Sequence, residues 1–221
     1  VRGLTVIIPV HNEREESYRS IVSLCHRYFE VLVIDDGSEV PVPIASFRRE
    51  KAKGYGNAIK QGMRLAKTEY VGIIDADSQY DPNDLFNLWE RLKDEDMLIG
   101  RRMTHQGGVM RFLGRLGLKL TASTLSWHII PDLNSGIRVF KRSLALKYAS
   151  LLCDTFSFST SLTLCFLLDG LKVKWYPVSF RARKGNKSTM KELHHGLITL
   201  YQIIWLCIGL RTRKLRQWLR G

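Results

Sequence analysis

The stretch Asp75-Ala76-Asp77-Ser78-Gln79 ends an apolar run, Tyr70-Val71-Gly72-Ile73-Ile74, with two carboxylates one residue apart. Like charges that close raise each other's pKa and cost stability unless something positive lies between or beside them. A divalent cation meets that need. The plainer alternative is capping of the helix that follows. Two more acidic groups stand in similar places: His11-Asn12-Glu13 after Leu4–Val10, and Asp35-Asp36-Gly37-Ser38 after Val31–Ile34. Singly, each has an ordinary reading, since Asp36-Gly37 is a common turn pair and Glu13 could be first-turn helix charge. Gathered at one edge they would repel in a purely structural role. They fit a ligand that offers ribose hydroxyls and base N–H groups, with a cation neutralising a diphosphate.

The elements around these groups alternate. Leu4–Val10 reads as a buried strand, and a helix starts in Asn12-Glu13-Arg14-Glu15-Glu16, acidic in its first turn as the helix dipole favours. Val31–Ile34 is a second strand and Ile44–Phe47 a short third. Asn57–Lys67 is helical in period, and Tyr70–Asp75 is a fourth strand. Pro82–Lys93 is a helix with Asp81 as N-cap and Pro82 in its first turn, and Met97–Gly100 is a fifth strand. This alternation predicts an α/β fold, a mostly parallel sheet with helices on both faces, whose ligands gather at the carboxyl ends of the strands. Gly54-Tyr55-Gly56 neither follows the first strand nor has the remaining glycine spacing, so a dinucleotide loop is not expected.

At 221 residues the chain suits one domain, or one domain with an appendage. It runs straight into Leu4–Ile8, so no secretory leader is expected. Cys25, Cys153, Cys165 and Cys207 are scattered without metal-site spacing and read as reduced packing residues of a cytosolic protein. The net charge of +13 is unevenly placed: residues 1–100 carry 13 Lys and Arg against 17 Asp and Glu, and residues 101–221 carry 21 against 4. A basic half rich in Leu, Ile, Phe and Trp points to a polyanion or an anionic membrane surface.

The ordered segments Pro9–Glu13 (PVHNE), Asp35–Ser38 (DDGS), Lys53–Gly62 (KGYGNAIKQG), Asp75–Gln79 (DADSQ), Gly100–Arg102 (GRR) and Asn134–Arg142 (NSGIRVFKR) resemble those of family 2 inverting glycosyltransferases. Their likeness is to the dolichol- or polyprenyl-phosphate mannosyltransferase branch, over roughly residues 4–190. The resemblance implies a GT-A fold, Rossmann-like, that binds a nucleotide-diphosphate sugar. It implies that Pro9, His11 and Glu13 hold base and ribose, and that Asp36, with Asp35, contacts the base. Lys53 and Gly54 approach the nucleotide, and Asp75, Ala76 and Asp77 line the donor. Asp75, Asp77 and Gln79 take Mg2+ or Mn2+ on the diphosphate, which makes Asp77 catalytic. The sugar stays open among GDP-mannose, UDP-glucose and UDP-N-acetylglucosamine. Residues 1–190 form the transferase domain on this reading, with 1–103 the nucleotide-sugar half and 104–190 the acceptor half.

A hydroxyl acceptor calls for a carboxylate base. Residues 101–221 offer only Asp132, Asp154, Asp169 and Glu192, and Phe156–Leu162 (FSFSTSL) lacks the glutamate of many relatives. Asp132 matches the family's aspartate before Ser-Gly. A lipid phosphate needs no base, only cations and alignment. Arg111, Arg115 and Lys119 recur every four residues in Gly108–Ile130 and share one helix face. That segment is either a surface helix of the domain or, as favoured here, an interfacial helix whose basic ridge meets phosphate head groups. Arg138, Arg181 and Arg183 complete the expected anion pocket, and Arg111 and Arg138 are the expected catalytic cations. In the tail, 191–221, Gly196–Leu210 is apolar apart from Thr199 and Gln202, and Arg211, Arg213, Lys214, Arg216 and Arg220 follow. Fifteen residues at ~1.5 Å span roughly 22 Å, short of a roughly 30 Å hydrocarbon core. The tail is therefore expected to lie in a membrane interface, with Trp205 and Trp218 at headgroup depth. It could instead bury in a homo-oligomer, or the natural chain could run on into membrane-spanning helices. The expected protein is peripheral at the cytoplasmic face of a membrane. His194 and His195 diverge on a helix and carry no ligand role. The rivals are transfer to a glycan hydroxyl and a non-enzymatic polyanion- or RNA-binding module; nucleic acid is not an expected partner, because aromatic–basic stacking motifs are missing.

Overall fold

The computed structural model describes residues 3–104, 109–181 and 192–218, the side chains of 109–111, 192–193 and 213–218 excepted. Strand β1 (Leu4–Val10) is followed by α1 (Glu15–Cys25), β2 (Glu30–Asp35), β3 (Phe47–Arg48), α2 (Tyr55–Leu65), β4 (Tyr70–Ile73), α3 (Pro82–Arg91) and β5 (Met97–Arg102). Then come α4 (Val109–Ser126), β6 (Arg138–Lys141), α5 (Arg142–Lys147), α6 (Phe158–Leu168), β7 (Val173–Val178) and α7 (Glu192–Trp218). The strands form one sheet in the order β3-β2-β1-β4-β6-β5-β7. Every described pairing is parallel except those of β6, which runs against both β4 and β5. Periodicity could not show that reversal. Its effect is topological: the residues leading into β6 arrive at the carboxyl end of β4.

Each residue of β1 is buried, because the strand lies between β2 and β4 and is covered on both faces. One core, with Ile8, Tyr18, Ile21, Leu85, Leu88 and Val139, lies under α1 and α3. The other, with Ile7, Ile59, Met63, Phe140, Phe158 and Phe166, lies under α2, α4, α6 and α7. Helix α3 begins as expected: Asp81 caps it, accepting from the Asn83 N–H at 3.0 Å, with Pro82 next. Helix α1 starts at Glu15, later than expected. Asn12 has a left-handed backbone (φ 52°), donates its N–H to Ser38 Oγ and accepts from the Glu39 N–H, so it ties two turns together rather than opening a helix. Strand β3 is only two residues long and lies just beyond the expected Ile44–Phe47.

Helix α6 is buried from Phe158 through Leu167. A helix apolar on all sides must be enclosed on all sides, and here the sheet lies beneath it while α4 and α7 cover it. Its hydroxyls are satisfied locally: Thr163 Oγ1 donates to the Ser159 carbonyl at 2.8 Å, and Ser157 shares a 2.7 Å hydrogen bond with Thr199 of α7. The described part of the tail is a helix of the fold. Its Ile203, Leu206 and Cys207 are buried against α4 and α6. Its other face, with Leu197, Tyr201, Ile204, Trp205 and Ile208, is open. Among the described residues no helix is long and apolar enough to cross a membrane.

These two faces predict opposite outcomes for neighbouring substitutions. Ile203→Ala, at a position with no exposed surface, is expected to lose about 2–5 kcal/mol in chemical denaturation. Ile204→Ala, 40% exposed, is expected to stay within about 0.5 kcal/mol.

Candidate active site

The carboxyl ends of β1, β2 and β4 bring the first-half candidates to one edge. Pro9 and Val10 pair with Ile34 and Asp35, and the Asp36 N–H donates to the Val10 carbonyl at 2.9 Å. His11 Nδ1 lies 3.1 Å from the Asp36 carbonyl, and His11 and Glu13 keep part of their surface in solvent. The two aspartates of DDGS behave differently from expectation. Asp35 has no exposed surface, and its oxygens accept from the Ser38 N–H (2.9 Å), the Val42 N–H (3.1 Å) and Arg48 Nε (3.1 Å). Burial alone would raise its pKa; the hydrogen bonds from Ser38 and Val42 and the Arg48 charge outweigh that and hold it below the ordinary carboxylate value. Asp36 is 3% exposed and accepts from the main-chain N–H groups of Lys53 and Gly54, the latter at 2.7 Å. Both carboxylates are therefore held by protein donors at this edge. Gly54 has φ 105°, and a Cβ there would stand 2.6 Å from the Asp154 carbonyl, so this corner admits only glycine. The Lys53 side chain is exposed beside it.

Asp75 lies on the floor of this edge, just past β4, enclosed by protein yet keeping part of its surface open. Tyr55, at the start of α2, donates its hydroxyl to Asp75 Oδ1 at 2.8 Å. Gly136, in the segment leading into β6, packs against the same carboxylate so closely that a Cβ there would lie 1.7 Å from Oδ2. Burial first, and the Asp77 charge second, raise the Asp75 pKa; the Tyr55 hydrogen bond and the charges of Arg102 and Arg138 lower it only in part. Ala76 is buried, 3% exposed, between the two carboxylates. Asp77 is 9% exposed and accepts from the Gln79 N–H at 3.1 Å. Ser78 between them is left-handed (φ 60°), the bend that turns the loop back on Asp77.

This donor set fits a hard divalent cation. Asp75, Asp77 and Gln79 offer only oxygen where a cation needs it. Among the described residues no group of three or more His, Cys, Asp or Glu side chains converges into a protein-only cage.

The expected cations of the second half are less uniform. Arg138 has no exposed surface: Nη1 donates to the Ser159 carbonyl (3.0 Å) and Thr163 Oγ1 (3.2 Å), and Nη2 to the Ser135 carbonyl (2.6 Å). Its position in β6, opposite Ile73 and Ile99, puts it beneath the site. The phosphate contact expected of it is unavailable in this geometry; it contributes buried positive charge under Asp75 and anchors the Ser135 turn. Arg115 is exposed and Lys119 half-buried on α4, Arg181 is exposed, and Arg183 and the Arg111 side chain lie outside the described residues. Sequence reasoning missed Tyr55, Tyr80 and Gly136, although all three sit within or beside the motifs. Tyr80 accepts from the Gly136 N–H at 2.9 Å and lies 3.3 Å from Ser135 Oγ, which locks the β6 turn to the acidic loop. A tyrosine or glycine beside an acidic motif carries no signal until the fold shows what it touches.

Two outcomes follow. Gly136→Ala must push the Asp75 carboxylate aside, so about 1–3 kcal/mol of stability is lost and Mn2+ binding with nucleotide weakens, as calorimetry reads. Burial and the Asp77 charge make the metal-free folded state hold the Asp75 proton more tightly than the unfolded chain does. Stability then declines as pH rises from about 4 toward neutrality. Asp75→Asn flattens that part of the profile of melting temperature against pH.

The sequence profile described as "Glycosyl transferase family 2" matches residues 5–148. An uncharacterized glycosyltransferase of Mycobacterium tuberculosis is 28% identical over 94% of this chain and 98% of its own. The dolichol-phosphate mannosyltransferase of Pyrococcus furiosus is 31% identical over 48% of this chain and 35% of its own. A UDP-N-acetylglucosamine–dolichyl-phosphate N-acetylglucosaminyltransferase of Methanococcus voltae is 24% identical over 66% of this chain and 71% of its own. Among solved structures, glucosyl-3-phosphoglycerate synthase of Mycobacterium tuberculosis, in complex with Mn2+, UDP-glucose and phosphoglyceric acid, superposes with a TM-score of 0.74 at 19% identity, covering 93% of this chain and 80% of that one. That likeness establishes the GT-A fold. With its acidic loop at the sheet edge and the profile spanning most of the chain, the protein belongs to glycosyl transferase family 2.

Proposed function

We propose that the protein transfers a hexose, with inversion, from a nucleotide-diphosphate sugar to the phosphate of a polyprenyl lipid at the cytoplasmic face of a membrane. The observation that carries the acceptor is the state of the described acidic side chains after residue 100, Asp132, Asp154 and Asp169. Asp132 is clasped by Arg102, which donates from Nε at 2.8 Å and Nη2 at 2.7 Å. Those hydrogen bonds and the Arg102 charge outweigh burial and hold the Asp132 pKa below its ordinary value. Asp154 is paired with Lys60 and Asn57, and Asp169 with Lys147 and Tyr148. A carboxylate held by a cation is a poor general base. A phosphate acceptor makes that irrelevant, because its oxygen is already anionic. It attacks the anomeric carbon opposite the diphosphate, the bond to the diphosphate breaks, and no proton has to be removed.

On this reading Pro9, His11 and Glu13 face the nucleoside, and the Lys53-Gly54 corner held by Asp36 approaches the phosphates. Asp77, with Asp75 and Gln79, holds Mg2+ or Mn2+, which when bound neutralises charge on the departing diphosphate. The lipid side is supported by the surface of α4 and α7. Phe112, Leu113 and Leu120 are 44–56% exposed near Arg115 and Lys119, Trp127 is 83% and Ile129 90% exposed, and the Arg211 guanidinium lies 4.8 Å from the Trp127 ring centroid. Apolar and basic side chains on one pair of packed helices match the interface of an anionic bilayer. Two of the relatives are named for dolichyl-phosphate acceptors, which supports the same class.

The test supplies UDP-glucose, UDP-N-acetylglucosamine and GDP-mannose in turn, with Mn2+, to protein on vesicles containing polyprenyl phosphate. One donor is expected to give an organic-extractable sugar lipid, and Asp77→Asn to lower the rate at least about a hundredfold. Transfer to dephosphorylated polyprenol or to a sugar hydroxyl, with none to the lipid phosphate, would sink the acceptor reading.

A further inference from the structure

The acidic loop is gripped from outside by a short strap, Ser179–Arg181, that continues β7. The Ser179 N–H donates to Asp84 Oδ2 at 2.8 Å, and Thr104 Oγ1 donates to the Phe180 carbonyl at 3.0 Å. Tyr80 and Phe180 form an antiparallel bridge, with ring centroids 5.0 Å apart. The Arg181 N–H donates to the Gln79 carbonyl at 2.8 Å, and the Arg181 carbonyl accepts from Gln79 Nε2 at 3.1 Å. Finally, the Arg181 guanidinium pairs with Asp81, the cap of α3, at 3.0 Å. Both polar groups of the Arg181 main chain therefore bind one residue, Gln79.

A carbonyl oxygen only accepts, so the branch of the Gln79 amide that meets Arg181 must be the NH2 group. The amide oxygen is then directed away from the strap. Gln79 is a flexible side chain that would otherwise lose rotamer freedom on binding an ion. We propose that the strap is the positioning element that orients Gln79 for the donor's cation, and that Arg181, anchored on Asp81, serves the donor side of the reaction instead of the acceptor phosphate. This rests on the donor reading given above. The outer partners of a metal ligand fix its orientation, and their loss usually weakens metal binding about 10–100-fold. The Arg181 side chain is 65% exposed, so its replacement leaves the core intact.

Mn2+ affinity is measured by electron paramagnetic resonance of free Mn2+, with UDP and in parallel with GDP. The proteins are the wild type, Arg181→Met, Arg181→Lys, Gln79→Ala and the Arg181→Met/Gln79→Ala pair. Arg181→Met is expected to weaken Mn2+ about tenfold, and Arg181→Lys, which keeps a cation for Asp81, to recover most of that. The pair is expected to bind no more weakly than Gln79→Ala alone. The KM for polyprenyl phosphate on vesicles is expected to stay within twofold for Arg181→Met. Unchanged Mn2+ affinity with a raised acceptor KM, or additive losses in the pair, overturns the strap's role while the donor reading stands. A wild type that binds Mn2+ with neither nucleotide overturns the donor reading, and the strap's role falls with it.

Discussion

Two negative charges one residue apart at the end of β4 are the constraint around which the molecule is arranged. The sheet brings Asp75 to the floor of the edge, and burial opposes its ionisation. Three features moderate the cost without removing it: the Tyr55 hydroxyl, the fully buried Arg138 and the Arg102 guanidinium. The same needs explain the reversed strand. Only because β6 runs against β4 do Gly136 and Arg138 arrive at the carboxyl end of β4, one as bare backbone beside the carboxylate and the other as charge beneath it. Even so the Asp75 pKa stays raised, and a cation placed beside it would favour its charged form.

The other large constraint is the apolar helix α6. It needs cover on the side away from the sheet, and α4 and α7 provide it. The helices that expose aromatic and aliphatic side chains are therefore also structural. Ile203 and Leu206 face inward while Tyr201 and Trp205 face outward on the same turns. The exposed face of α7 is tied to the core by direct packing: Thr199 bonds Ser157 at the start of α6, and the neighbouring Phe156 stacks on Tyr55.

Much of this was legible before any coordinates. Alternating apolar runs placed the five strands of residues 1–100 to within a few residues, and the acidic groups at their ends located the edge. The α3 cap at Asp81 was readable because capping is local chemistry. What stayed hidden was non-local. The direction of β6 leaves no mark on a strand of four residues, Arg138–Lys141. Asp35 and Asp36 look like ligand residues by type, and only the fold reveals that main-chain N–H groups of Ser38, Val42, Lys53 and Gly54 claim them. Arg138 has the composition of a phosphate binder, yet its register opposite Ile73 buries it. Residue type announces what a side chain can do, and neighbours distant in sequence decide whether it is available.

The clasp between Arg102 and Asp132 has a consequence for how such an enzyme could diversify. Arg102 ends β5 and Asp132 stands shortly before β6, so the pair joins the two points where the chain leaves the sheet and returns to it. The excursion between them, which contains α4, is thereby closed at its base like a drawstring bag. Its contents can be lengthened, shortened or recoloured with charge while the sheet edge beneath keeps its shape. A fold with that fastening can keep one sheet edge and exchange the segment that lies above it.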